Sequence, residues 1–209
     1  MFKKFAADAL GLSDIGVIVP ASEFDKVDAD DYLFHEDGER IFFLIKSKKD
    51  EYCFTNQALI HVDGESAVSS KRTVKRYEYS SNRVGYCVIE TAGNMDMDVE
   101  LKFSIGEAHF SIDVRKSFIE QVKDIYKALI AIGRQQGRDA TCRDNAVRTL
   151  EAMGGMLKLG NLQGEAAVVA HFNAVLDNLN TTMLDRHSTR DYTRVFEKFI
   201  HNAAPQGQS

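Results

Sequence analysis

Four cations fall within the six residues Lys71-Arg72-Thr73-Val74-Lys75-Arg76, and three more, Lys46, Lys48 and Lys49, cluster at a lysine-rich turn. Ammonium and guanidinium groups gathered in this way are the chemistry that captures phosphate or another anion. On an extended strand, however, alternation sends Lys71 and Lys75 to one face and Arg72 and Arg76 to the other. Lysines along a sheet edge also guard against unwanted strand pairing, and that structural role is the stronger expectation for this run.

A second group is acidic. Asp96, Asp98 and Glu100 stand at alternate positions, so a strand would point all three carboxylates the same way. Oxygen ligands suit Ca²⁺ or Mg²⁺, yet both ions want donors converging from several directions. A flat row fits a solvated or base-paired strand face better, and no metal is assigned.

Nothing else assembles a reaction centre. The histidines at 35, 61, 109, 171, 187 and 201 are dispersed and match no His-Glu-x-x-His or Cys/His finger spacing. Cys53, Cys87 and Cys142 form an odd, widely spaced set, which reads as reduced thiols and places the chain in the cytoplasm. Cys53 lies between Tyr52 and Phe54, and Cys87 between Tyr86 and Val88, contexts in which a thiol behaves as a small hydrophobe. The run Gly154-Gly155-Met156-Leu157-Lys158-Leu159-Gly160-Asn161 approaches a phosphate loop but has Asn161 where lysine is required. No catalytic residue and no cofactor is expected.

Composition bounds the remaining classes. A net charge of -5 argues against bulk nucleic-acid binding, which needs clustered cations to displace phosphate counterions. Asp8 and Asp14 interrupt the apolar core that a secretory signal would need, and nowhere do about 18 apolar residues run together.

The elements that position these residues follow from periodicity. Residues 1–37 are a mixed extension with an apolar stripe of Phe2, Phe5, Ala9 and Leu12, an acidic stretch and a turn at Asp37-Gly38. Seven β-branched and aromatic runs follow, near 40–47, 50–55, 58–62, 71–79, 84–91, 97–105 and 108–114. Their short connections force neighbouring strands to run antiparallel.

After Arg115 the period changes to 3.6. Phe118, Val122, Ile125, Leu129 and Ile132 form one apolar face of a long helix, with Gly133 and Gly137 expected to interrupt it. Further helices are predicted over 141–158, along the stripe from Val169 through Phe172, Leu176 and Leu179 to Met183, and along Tyr192, Val195, Phe196, Phe199 and Ile200. Residues 204–209 read as a disordered tail.

The words Phe43-Leu44-Ile45-Lys46-Ser47-Lys48-Lys49-Asp50-Glu51-Tyr52-Cys53-Phe54-Thr55-Asn56, Leu59-Ile60-His61-Val62-Asp63-Gly64 and Glu90-Thr91-Ala92-Gly93 resemble the bacterial PH domain family, once filed as unknown function. The opening Ala6–Gly16 and the ending Arg194–Asn202 are similar to the YvbH-like proteins within it. The resemblance implies an α+β fold: a PH-like, antiparallel seven-stranded sandwich or barrel over 38–133, capped by its C-terminal helix. It also implies that an all-α region, 134–203, mediates oligomerisation.

Two functions are open at this stage. One is a non-enzymatic, self-associating interaction or scaffold protein, a homo-oligomer whose interface includes Phe172, Leu176, Phe196 and Phe199, with room for a further protein partner. The other is a peripheral lipid- or phosphate-binding protein using Lys46, Lys48, Lys49, Lys71, Arg72, Lys75 and Arg76; the acidic net charge favours the first. Intramolecular packing of the three helical stripes is the alternative to an oligomer interface.

Overall fold

In a computed structural model of the 209-residue chain, residues 14–64, 72–91, 98–156 and 164–200 are described. The Phe2–Leu12 stripe, Lys71, Asp96 and the residues from 201 onward lie outside them.

Among the described residues, eight strands form two antiparallel sheets. β1 (Val17–Ile18), β2 (Ile41–Lys46), β3 (Asp50–Thr55), β4 (Ala58–Gly64) and β5 (Arg72–Glu78) make a five-stranded meander, and β6 (Val84–Glu90), β7 (Asp98–Ile105) and β8 (Ala108–Arg115) make a three-stranded one. The seven strands read from sequence are β2 to β8. β1 is additional: at two residues it is too short to leave a periodic signature, yet it pairs with β2. Gly16, just before it, forms a parallel bridge to Val114 of β8, so the two sheets meet at that corner.

The principal core lies between the sheets. Phe43, Ile45, Phe54 and Leu59 of the first sheet face Leu101, Phe103, Ile105, Phe110 and Ile112 of the second. α1 (Ile119–Met156) closes it with Val122, Ile125, Leu129 and Ile132, each fully buried. This is the apolar face predicted from the 3.6-residue period.

The predicted interruption of that helix does not occur, because α1 runs unbroken through Gly133 and Gly137. Glycine inside a helix costs roughly 1 kcal/mol relative to alanine. At Gly133 the reason for its presence is a close approach: a β-carbon there would stand 2.8 Å from the Val84 carbonyl oxygen.

A second core covers the opposite face of the first sheet. Leu44, Cys53, Ile60 and Val62 pack against Val19, Val27, Ala29 and Leu33 from the segment that precedes β2. That segment folds as short 3₁₀ turns, Ala21–Lys26, Asp28–Tyr32 and His35–Asp37, and ends on Gly38 with φ 74, a left-handed conformation that suits glycine. A sheet covered on both faces is built from strands that are apolar at consecutive positions, as Phe42-Phe43-Leu44-Ile45 is. The stretch read as an extension over 1–37 therefore contributes, from Gly16 on, one short strand and the 3₁₀ turns that cover the first sheet.

The chain divides into two compact units. One comprises the residues up to Gly133 together with those from Asp191; the other is Arg134–Arg190. α3 (Thr193–Phe199) belongs to the first, where Tyr192 and Phe196 are buried in the principal core. The sequence reading grouped this helix with the region after 134. Its stripe is apolar in either setting, and nothing local in the sequence distinguishes a helix that docks on a sheet from one that docks on other helices.

In the second unit, α2 (Glu165–Asn180) continues into a π-helical turn, Thr181–Arg186. The segment that follows is tied to α1 at two points. Asp139, buried, accepts from the Thr189 amide at 3.1 Å, and the Arg143 guanidinium donates to the His187 carbonyl.

Candidate functional site

The seven cations singled out by type and spacing do not converge. Lys46 on β2 and Glu51 on β3 are cross-strand partners, and their side chains form an ion pair of which little is exposed. Glu51 also accepts from the amides of Ala29 at 2.9 Å and Asp28 at 3.4 Å. It thereby terminates the start of the Asp28–Tyr32 turn, where orphaned N–H groups favour an anion.

Arg76 on β5 is engaged in the same manner. Its Nη1 donates to Glu39 Oε2 at 3.0 Å and its Nε to Glu78 Oε1 at 2.5 Å, while the guanidinium lies 4.8 Å over the Phe34 ring. Burial alone would lower its pKa, but the bonds to Glu39 and Glu78 outweigh that and hold it above the ordinary arginine value. Glu39, itself buried, takes further bonds from Thr55 Oγ1 at 2.5 Å and the Phe34 amide at 2.9 Å. Arg72 meets Asp28 at 3.4 Å.

Lys46, Arg72 and Arg76 thus hold carboxylates of their own chain, and all three contribute to pinning residues 28–39 against the first sheet. Lys48, Lys49 and Lys75 are exposed. Lys75 lies opposite His61 of β4, at the alternate position between Arg72 and Arg76 that points to the other face of β5. The two-faced division read from spacing is present, with half of it consumed by internal ion pairs.

On the outer face of the second sheet, Asp98 and Glu100 of β7 stand beside Lys102. Lys102 contacts Glu90 at 2.8 Å and Glu100 at 2.9 Å, and Glu100 accepts from the Ser111 hydroxyl. The bonds from Ser111 and Lys102 hold the Glu100 carboxyl below its usual range. Asp113 beside them is raised, first by burial and then by the Glu100 and Asp98 charges. This is the base-paired strand face, and among the described residues no group of three or more His, Cys, Asp or Glu side chains could hold a metal ion.

The two strand thiols, Cys53 and Cys87, are not poised for attack. Burial pushes Cys53 well above the ordinary thiol value and Cys87 up to about 12. A thiol that stays protonated near neutrality is a poor nucleophile.

The candidate interface residues separate into two groups. Phe172 and Leu176 on α2 are 61% and 38% exposed, with Val168 and Val169 exposed beside them. Phe196 is fully buried and Phe199 half-buried against the same principal core, so both belong to the interior of the first unit.

One feature escaped the sequence. A groove of about 460 Å³ opens where β1 and the Ala21–Lys26 turn approach the start of α1. It is lined by Ile18, Phe24, Phe42, Phe118, Arg115 and Gln121 among others, residues from three separate stretches of the chain that no spacing rule could have joined.

Comparison with known proteins places these features. Residues 9–132 match the sequence model of the family described as Bacterial PH domain. Over 207 residues the chain is 47% identical to the uncharacterised protein YvbH of Bacillus subtilis (strain 168), covering 97% of this chain and 100% of that protein. The uncharacterised protein YjqA of the same organism is 34% identical over 98 residues, 46% of this chain and 76% of its own. A crystal structure of a PH domain containing bacterial protein from Exiguobacterium sibiricum 255-15 superposes with a TM-score of 0.80 at 42% identity, over 90% of this chain and 100% of that one.

Proposed function

This chain belongs to the bacterial PH domain family, and we propose that it is a non-enzymatic cytoplasmic interaction module that assembles copies of itself through the exposed face of α2. The supporting observation is the stripe Val168, Phe172 and Leu176, spaced four residues apart, with Val169 alongside. Residues three and four apart share one helix face, so these four make a continuous apolar strip. Strips of that kind on a protein surface mark places where another surface docks.

A self-complementary strip suits a second copy, because a two-fold axis brings the same patch against itself. The PH-like unit then supplies a surface for a further protein partner. No helix among the described residues is long and apolar enough to cross a membrane.

The second reading is attachment to an anionic lipid or phosphate surface through Lys48, Lys49 and Lys75, which are exposed members of the cationic set. It is the weaker, since Lys46, Arg72 and Arg76 are held by internal carboxylates. Light scattering of the full chain beside a Phe172→Asp/Leu176→Asp variant tests the first reading. An oligomer that becomes a folded monomer supports it; a parent that is monomeric at tens of micromolar, or an oligomer untouched by the double change, removes it. Flotation with anionic vesicles, lost in Lys48→Glu/Lys49→Glu, would favour the second.

A further inference from the structure

The groove beside β1 lies within the size range of small-molecule sites, and its floor is the margin of both cores, with Phe43 from one and Val19 from the other. Ile18, Phe24, Phe42 and Phe118 line it half-buried, leaving apolar surface that a ligand could cover. Arg115 is the sole charged residue among its lining residues. Gln121 adds a neutral amide one helical step beyond Phe118, on the same side.

Cation and wall are fixed to one another by backbone. The Arg115 amide donates to the Gly16 carbonyl at 2.9 Å, and Gly16 donates to Asp113 at 2.7 Å, so the end of β8 is stitched to the residue that leads into β1. The opposite wall is held as firmly, since Phe42 stacks on Phe196. A preformed concavity of this kind costs little ordering when it is filled.

We propose that this groove binds a single-chain carboxylate amphiphile such as a free fatty acid, its alkyl chain along Phe24, Phe42 and Phe118 and its carboxylate on Arg115. A guanidinium presents five N–H donors, enough to serve a ligand carboxylate alongside partners within the protein. The guanidinium fork and the Gln121 amide together offer N–H donors in the planar arrangement that a carboxylate accepts. This assignment is independent of self-association.

The test uses the full chain and a dansyl-labelled fatty acid as reporter, displaced by dodecanoate or by dodecanol below their micelle concentrations. Dodecanoate is expected to displace it at a single saturable site, with dodecanol weaker by about tenfold. Arg115→Gln should bring the acid down to the level of the alcohol. Ala21→Trp, which fills the groove from an exposed position, should abolish displacement by both while leaving the melting temperature near that of the parent. In the parent itself, which needs no variant to fold, nuclear Overhauser contacts should connect dodecanoate methylenes to the Phe24 and Phe118 rings. Absence of saturable displacement, equal affinity for acid and alcohol in the parent, or no contact to those rings would overturn the assignment. So would capture by phosphatidylglycerol vesicles of a protein that ignores free dodecanoate.

Discussion

The ring of Phe196 stacks on that of Phe42, centroids 4.9 Å apart and planes inclined by 15°. The two are more than 150 residues apart in sequence, and between them lies the whole of the second compact unit. Tyr192 stands edge-on to Tyr79 at 5.7 Å, and its amide donates to the Asn56 carbonyl at 2.8 Å. The last short helix is thereby a structural member of the PH-like unit.

Phe196→Ala should be among the most damaging single changes in the chain. Removing a fully buried phenyl ring leaves a cavity and costs about 3–5 kcal/mol, whereas Phe172→Ala on the exposed face of α2 should alter monomer stability by no more than about 0.5 kcal/mol. Urea denaturation at low protein concentration compares them. Equal midpoints would mean that α3 does not dock as described.

A fragment of residues 38–133 corresponds to the PH-like span that the family resemblance implies. It lacks Val19, Val27, Ala29 and Leu33, which cover one sheet face, and Tyr192 and Phe196, which fill the other core. The fragment should show no cooperative melting, and a fragment of 14–133 only a weakened one. Calorimetry decides; a sharp transition from the shorter piece would show the second core to be dispensable.

Glu51→Ala should release the segment before β2. The change orphans the little-exposed Lys46 ammonium and the amides of Asp28 and Ala29, and breaking such a pair costs about 3–5 kcal/mol. Amide exchange at Asp28 and Ala29 should accelerate far more than exchange in α1. Protection retained at both amides would contradict this role for Glu51.

Alkaline pH should weaken the fold in two stages. Cys87, with an ordinary value of 9.0, and Tyr52, at 10.0, are both pushed up to about 12, chiefly by burial. A folded-state pKa above the unfolded value gives stability that is complete below the unfolded value and lost as pH rises toward the folded one. The decline should therefore begin above pH 9, where the buried Cys53 contributes as well, and steepen above 10 as Tyr52 joins. Denaturant midpoints between pH 8 and 12 should fall more shallowly in Cys87→Ala; an unchanged profile would leave the Cys87 thiol without a share.

Much of this architecture is written in the sequence. β2 to β8 begin and end within a few residues of the runs read by alternation, and the stripe from Val122 to Ile132 is the face that α1 buries. The misplacing of α3 and of the segment before β2 has one physical cause, which is that local pattern reports how apolar a face is and not what covers it. Phe172 and Phe196 carry the same helical signature, yet one is open and the other enclosed. The doubly apolar run Phe42-Phe43-Leu44-Ile45 did carry the missing clue, since a sheet with one wet face would have alternated.

The candidate sites were less legible. The cations of the first hairpin and of β5 were found by type and spacing, but their internal partners Glu39, Glu51 and Asp28 come from segments that spacing does not connect. The groove at Arg115 depends entirely on tertiary assembly.

Because α3 completes a core that begins near Gly16, the first unit cannot be finished in the order in which it is made. At the ~5–20 residues per second of synthesis, the stretch from Arg134 to Arg190 separates α1 from its last core partners by several seconds. During that interval the nascent chain carries its sheets and much of α1 with Phe42 and Tyr79 still uncovered. Completion thus waits until α3 has been made, and the helical second unit is synthesised before the unit that precedes it can close.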